Sequence, residues 1–384
     1  VSVASGSLPR REGVPVARAH AASAIAQSEL NHILLAWLAL LAFGTVMVGS
    51  AAVALGETYL SRHLLFLVVS LIVFALVFSI PPSAWNRFYW LGWLVSFVIA
   101  VAVLIPGVGH EVNGAQRWIR FGGFSLQSAE VAKFGLCIYL AGYLDRHVES
   151  LRADPKVLMV PLGMVVIVCG LLVAEPDLGS AVVIVAASVG LLFLAGAKLR
   201  YFLLLLLVGA SGLAALIWDE PYRMQRLIAF LDPWSVAFGS GYQLTQALIA
   251  FGRGDLWGLG LGEGVQKLFY LPEAHNDFIF AVVAEELGSF GAIGLVILLA
   301  FLVLRVLAAA RGRLYQGDRF AGYVAYFTGL LLGIQMLVNV GVNTGVLPTK
   351  GLTLPFVSYG GNSLMVSCAL LALVMRSGWE WRHG

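Results

Sequence analysis

Apolar runs recur along most of this chain, and their spacing sets its architecture. Runs long enough to cross a ~30 Å hydrocarbon core lie near 33–55, 63–80, 88–106, 128–144, 157–174, 178–196, 199–217, 278–304, 320–346 and 358–376. The pattern predicts an all-α integral membrane protein of about ten transmembrane helices. Two intervals between runs stand apart. Residues 107–127 join two spans and contain Asn113-Gly-Ala-Gln-Arg117-Trp118-Ile-Arg120. Residues 218–277 form one large loop, long enough to need structure or function of its own. Within it Leu244, Leu248 and Phe251 fall at helical spacing, which predicts a helix lying on the outer membrane face. Glycines from Gly252 to Gly264 follow and permit tight turns.

Charge orients the bundle. With the N-terminus in the cytoplasm, fifteen Lys and Arg fall inside, eight fall outside, and Lys133 lies within a span, out of 24 in all. The short loop from Arg305 to Arg319 carries much of that bias, so both termini are expected in the cytoplasm. Residues 1–31, rich in Ala and Ser, read as a disordered cytoplasmic tail, with one polytopic domain over 32–384. The chain is 60% hydrophobic and 12% charged, about half the charge of a soluble protein. Cys137, Cys169 and Cys368 all lie in apolar runs, which argues for packing thiols over disulfides or a zinc site. No Walker loop, dinucleotide fingerprint, HExxH or CxxC pair is present, and nothing points to nucleic acid.

The remaining polar groups gather towards the outer side and predict an outward-facing polar cavity. Asp277 is the most informative of them. A carboxylate at or inside a bilayer costs ~3 kcal/mol at a helix centre, so a wet cavity or a cation must make it tolerable. The same residue also reads as an N-cap for Phe278-Ile279-Phe280. Glu130 and Lys133, three apart on one span, share a helix face and can pair, either as structure or as a cavity wall that meets an anion. Arg117 and Trp118 suit a phosphate and a sugar face, or simple interfacial anchoring. Asp177, after Pro176, reads as a helix cap. Residues 342–361 interrupt membrane-depth sequence with Pro348, Pro355 and several glycines. Such backbone must be buried in protein or line a cavity, which brings Lys350 and Ser358 to that cavity. Glu285 and Glu286 sit ~12–14 Å further along the helix than Asp277 and read as interior hydrogen-bonding groups. His275 reads as a loop imidazole or, with Asp277, as part of a divalent-cation site.

Several of these stretches resemble one family. Residues 260–288, containing ProGluAlaHisAsnAsp, and residues 343–361, containing LeuProThrLysGlyLeuThrLeuPro, are similar to the two signatures of the SEDS (shape, elongation, division and sporulation) proteins. Residues 113–119, 127–133 and 175–180 match as well, and the likeness runs from about residue 32 to the end. The division branch is the better match, with the elongation branch as the nearest rival. Two departures are Ser128-Ala129 before Glu130, and Asn362 after Gly360-Gly361 where Ser is usual. The resemblance implies a peptidoglycan glycosyltransferase acting on lipid II and releasing undecaprenyl pyrophosphate. It implies an inner-membrane protein at the division septum, with a class B penicillin-binding protein and other division proteins as partners. It places the essential acid on Asp277. Mg²⁺ is the one cofactor the reading leaves open. A lipid II flippase or a division scaffold stands as the alternative.

Overall fold

The computed structural model describes residues 16–112, 114–122, 124–154, 156–219 and 221–383. Asn113 and residues 1–15 of the expected tail lie outside the described residues. Each predicted apolar run is helical. The helices are α1 (Val16–Ala51), α2 (Glu57–Ser79), a short α3 (Pro82–Arg87), α4 (Tyr89–Leu104), α5 (Ser128–Ala153), α6 (Lys156–Ala174) and α7 (Leu178–Leu194). They continue with α8 (Leu199–Asp219), α9 (Pro221–Leu231), α10 (Tyr242–Gly254), α11 (Ile279–Tyr315), α12 (Arg319–Asn343) and α13 (Gly361–His383). Helix α1 begins within the stretch assigned to the tail. Among the described residues six helices (α1, α2, α6, α11, α12 and α13) are long and apolar enough to cross a membrane, and α4 and α7 are shorter apolar helices.

Helices α5, α12 and α13 form the centre of the bundle. Leu136, Leu140 and Leu144 of α5, Phe327 and Leu331 of α12, and Leu370 and Leu371 of α13 are all buried. Outside them α2 and α4 turn Leu64, Leu65, Val68, Ile72, Val95 and Val98 outwards, the surface a lipid-facing helix presents.

Three features depart from a plain helical bundle. Residues 107–127, expected as a connecting segment, form a three-stranded antiparallel sheet of β1 (Gly109–Val112), β2 (Ala115–Phe121) and β3 (Phe124–Gln127). Trp118 pairs with His110 on one side and Gln127 on the other. Asn362 Nδ2 donates to the Ser125 carbonyl at 2.7 Å and so ties the sheet to the start of α13.

The second departure is a break in α11, expected as one continuous span. Gly288 takes φ 66° and ψ −173°, a conformation only glycine adopts without strain. The carbonyls of Glu285 and Glu286 are released from the helical ladder there. They accept from Leu259 N and Gly260 N, each at 3.0 Å, so the glycine-rich end of the large loop supplies the missing donors. The two carboxylates hold the same loop. Glu286 pairs with Lys267 at 2.5 Å and accepts from Ser50 Oγ and Gly262 N, while Glu285 accepts from Val265 N and Gln266 N. The third feature is α10. It buries Leu244, Ala247 and Ala250, and Phe251 meets Phe280 of α11 with ring centroids 5.7 Å apart.

Candidate functional site

A polar cavity of about 710 Å³ opens between the sheet, the 176–180 link, α5, α10, the chain before α11 and the irregular 344–360 segment. Six of the eight candidate catalytic and binding residues line it: Arg117, Trp118, Glu130, Lys133, Lys350 and Asp277. They come from four separate segments, and the fold brings them together as follows.

Helix α5 begins at Ser128, so Glu130 and Lys133 sit in its first two turns. Lys133 Nζ donates to Glu130 Oε1 at 2.6 Å, with the two side chains 2% and 6% exposed. A pair so buried is tolerated because each charge has its partner in place. Asp277 stands just before α11. The N-cap position of that helix is Phe278, with no side-chain cap bond. The cap of α7 is Asp177, which accepts from Ser180 N at 3.2 Å, and Gln127 Nε2 also donates to it at 3.2 Å. Lys350 and Gly351 lie on the irregular chain that Pro348 and Pro355 predicted. Gly351 abuts the Asp277 carboxylate, and a Cβ there would stand 2.9 Å from Oδ2.

Arg117 projects from β2. Its buried Nε has no hydrogen-bond partner among the described residues. Glu175 lies in its field, wholly buried in the link between α6 and α7, and accepts from Ser128 Oγ. Burial pushes the Glu175 carboxyl up to about 8, with Asp177 adding to the rise and Ser128 and Arg117 opposing it. This acid therefore stays protonated near neutral pH.

Ser358 and His275 do not line the cavity. Ser358 Oγ donates to the Asn276 carbonyl at 2.7 Å and accepts from Leu354 N at 2.8 Å, so it ties the chain behind Asp277 to the 354–358 turn. His275 packs between Tyr59 and Tyr359, each with ring centroids 5.3 Å away. Burial lowers its tendency to protonate, against the pull of Glu273.

Gln243, Glu273 and Asn276 also border the cavity, and sequence reasoning did not single them out. Nor did it find Asn339 and Asn343, whose signal was two amides spaced four apart near the end of a membrane-depth helix. Among the described residues no three His, Cys, Asp or Glu side chains cluster closely enough to hold a metal. Mg²⁺ is ordinarily held by one or two carboxylates together with substrate phosphates and water. Asp277 and Glu273 on one cavity fit that donor set.

Residues 31–381 match the cell cycle protein family FtsW/RodA/SpoVE. A relative in Pseudomonas fluorescens, a probable peptidoglycan glycosyltransferase FtsW, is 47% identical over 90% of this chain and 86% of its own. One in Coxiella burnetii with the same description is 46% identical over 91% of this chain and 95% of its own. A solved chain from a peptidoglycan synthase complex that coordinates polymerization and crosslinking superposes with a TM-score of 0.76 at 29% identity, covering 91% of this chain and 97% of its own. The rod shape determining protein RodA of Thermus thermophilus superposes with a TM-score of 0.68 at 29% identity, covering 91% and 96%. With its spanning helices, polar cavity and signature segments in place, this multi-pass membrane protein belongs to the FtsW/RodA/SpoVE family of cell cycle proteins, the SEDS family.

Proposed function

We propose that this chain is a peptidoglycan glycosyltransferase that polymerises lipid II into glycan strands at the outer face of the cytoplasmic membrane during septal wall synthesis. The observation that carries the reading is that the Asp277 carboxylate borders the same cavity as Arg117, Lys133 and Lys350. A base beside a cluster of cations suits attack by a hydroxyl and departure of a pyrophosphate. The relatives described as peptidoglycan glycosyltransferases support the same class of reaction.

Asp277 takes the proton from the 4-hydroxyl of the acceptor sugar. That oxygen forms a bond to the anomeric carbon of the donor while the bond from that carbon to the pyrophosphate oxygen breaks. Undecaprenyl pyrophosphate leaves with the electron pair, and the developing charge falls to Arg117, Lys133 and Lys350. An α-linked donor and a β-linked product require inversion, which one carboxylate as base satisfies, since pyrophosphate leaves without being protonated. Glu130 holds the Lys133 ammonium in place. Trp118 offers a ring to a sugar face, and Ser358 and His275 fix the chain just before Asp277. Mg²⁺, when bound, would be held by Asp277 and Glu273 and would supply positive charge that lowers the pKa of the acceptor hydroxyl.

In this reading the domain at 32–384 sits in the inner membrane, with the tail at 1–31 and the C-terminus in the cytoplasm. The partner is a class B penicillin-binding protein, a reading supported by the crosslinking coordinated in the related synthase complex. The test is strand synthesis from lipid II in detergent, with no bilayer present. A polymerase makes strands under those conditions. Substrate binding without strands, in the presence of the partner, contradicts the reading and favours a transporter or scaffold.

A further inference from the structure

Asn339 and Asn343 stand four residues apart at the end of α12, share one face and are 1% and 0% exposed. Both amides are fully used. Asn339 Nδ2 donates to the Asp277 carbonyl at 2.9 Å and to the Leu352 carbonyl at 2.6 Å. Asn343 Nδ2 donates to the same Asp277 carbonyl at 3.0 Å and to Asn339 O at 2.9 Å, with Asn339 Oδ1 at 3.3 Å. Asn343 Oδ1 accepts from Ala281 N at 3.1 Å, in the first turn of α11.

These bonds hold two pieces of chain that lie outside the regular helices. Asp277 precedes the helical ladder of α11, and Leu352 belongs to the irregular 344–360 segment. One carries the carboxylate and the other carries Lys350. Both are pinned to a single amide on a packed central helix, which is how an active group is kept in register by its supports.

We propose that Asn339, backed by Asn343, is the positioning residue that sets the distance between the Asp277 carboxylate and the Lys350 segment. The inference rests on Asp277 acting as the base. A base must lie within about 2.6–3.2 Å of the proton it takes. A shift of ~1 Å can cost ~100-fold in rate, so loss of the clamp acts on turnover more than on substrate affinity.

The experiment is steady-state lipid II polymerisation by the purified full chain with its transpeptidase partner, comparing wild type, Asn339→Ala, Asn339→Gln, Asn343→Ala and Asp277→Asn. The expected result for Asn339→Ala is a kcat lower by ~10–100-fold with KM for lipid II within ~3-fold. Asn339→Gln, which keeps two N–H donors, recovers at least ~3-fold over Ala. A kcat within ~2-fold of wild type in Asn339→Ala overturns the proposal. So does a parallel loss in kcat, KM and melting temperature in which Gln fares no better than Ala. Should Asn339→Ala fail to purify as folded protein, Asn343→Ala takes its place, with the same fall in kcat at unchanged KM expected and the same results overturning it. The Asp277→Asn arm separates the two ideas. Normal polymerisation by it removes the base reading and this proposal together, whereas an inactive Asp277→Asn beside a fully active Asn339→Ala removes only the clamp.

Discussion

Gly351 lies against the carboxylate of Asp277, so close that a methyl group on its Cα would stand 2.9 Å from Asp277 Oδ2. The carboxylate or the 349–353 segment must shift to admit it. Gly351→Ala is therefore expected to lower polymerisation by ~10–100-fold, because a displaced base loses its alignment with the acceptor hydroxyl. Binding of lipid II and the melting temperature should change little. Measured turnover and affinity of the purified variant check this, and unchanged turnover would show that the contact is unimportant.

Lys267 and Glu286 form the buried pair that fastens the large loop to α11, with side chains 1% and 0% exposed. Removing one partner leaves a buried charge without its counter-charge, at a cost of ~3–5 kcal/mol. Lys267→Met and Glu286→Leu should each lower the melting temperature sharply. The double variant should recover part of the loss, since neither charge remains. Thermal unfolding of the three proteins in detergent is the measurement, and additive losses would argue against the pair.

Glu130 and Lys133 carry a parallel expectation nearer the chemistry. Glu130→Ala leaves the Lys133 ammonium without its 2.6 Å partner in a buried site, so both stability and activity should fall. Unchanged melting together with unchanged turnover would remove the pair from the account.

Glu175 gives the protein a pH signature. Burial raises its folded-state pKa from 4.5 to about 8. Between those values the folded protein holds a proton that the unfolded chain has released. Stability from this group is therefore complete below about pH 4.5 and is lost as pH rises through about 8. Glu175→Gln imitates the protonated form and should flatten the dependence. Its melting temperature should exceed that of wild type by ~2–4 °C at pH 9, for each ~1 kcal/mol regained, with little difference at pH 5. Parallel curves from pH 5 to 9 would contradict this.

The chain announced its helices and the acid, because both follow from local rules. Long apolar runs give spans, and Asp277, Lys350 and the Glu130–Lys133 pair were conspicuous as charges at membrane depth. The sheet at 109–127 was announced more quietly. Asn113-Gly114 and Gly122-Gly123 between short runs are hairpin signals, but three strands of four to seven residues are overshadowed by their apolar neighbours. The break at Gly288 could not be read locally, since its replacement donors come from Leu259 and Gly260 in a loop folded back in three dimensions. Ser358 and His275 are close in sequence to cavity residues, yet proximity does not fix the direction of a side chain. Asn339 and Asn343 were hidden for another reason. What they hold is backbone, and backbone contacts leave no pattern in the partner's sequence.

The central claim is that Asp277 is the base for glycan polymerisation, and one comparison tests it most directly. Purified wild type and Asp277→Asn, each with its class B partner, are given lipid II, and strand length and binding are measured together. The account predicts strands from wild type only, with Asp277→Asn folded and binding lipid II within ~3-fold of wild type while turnover falls by at least ~100-fold. Strands of normal length from Asp277→Asn at a normal rate would contradict it.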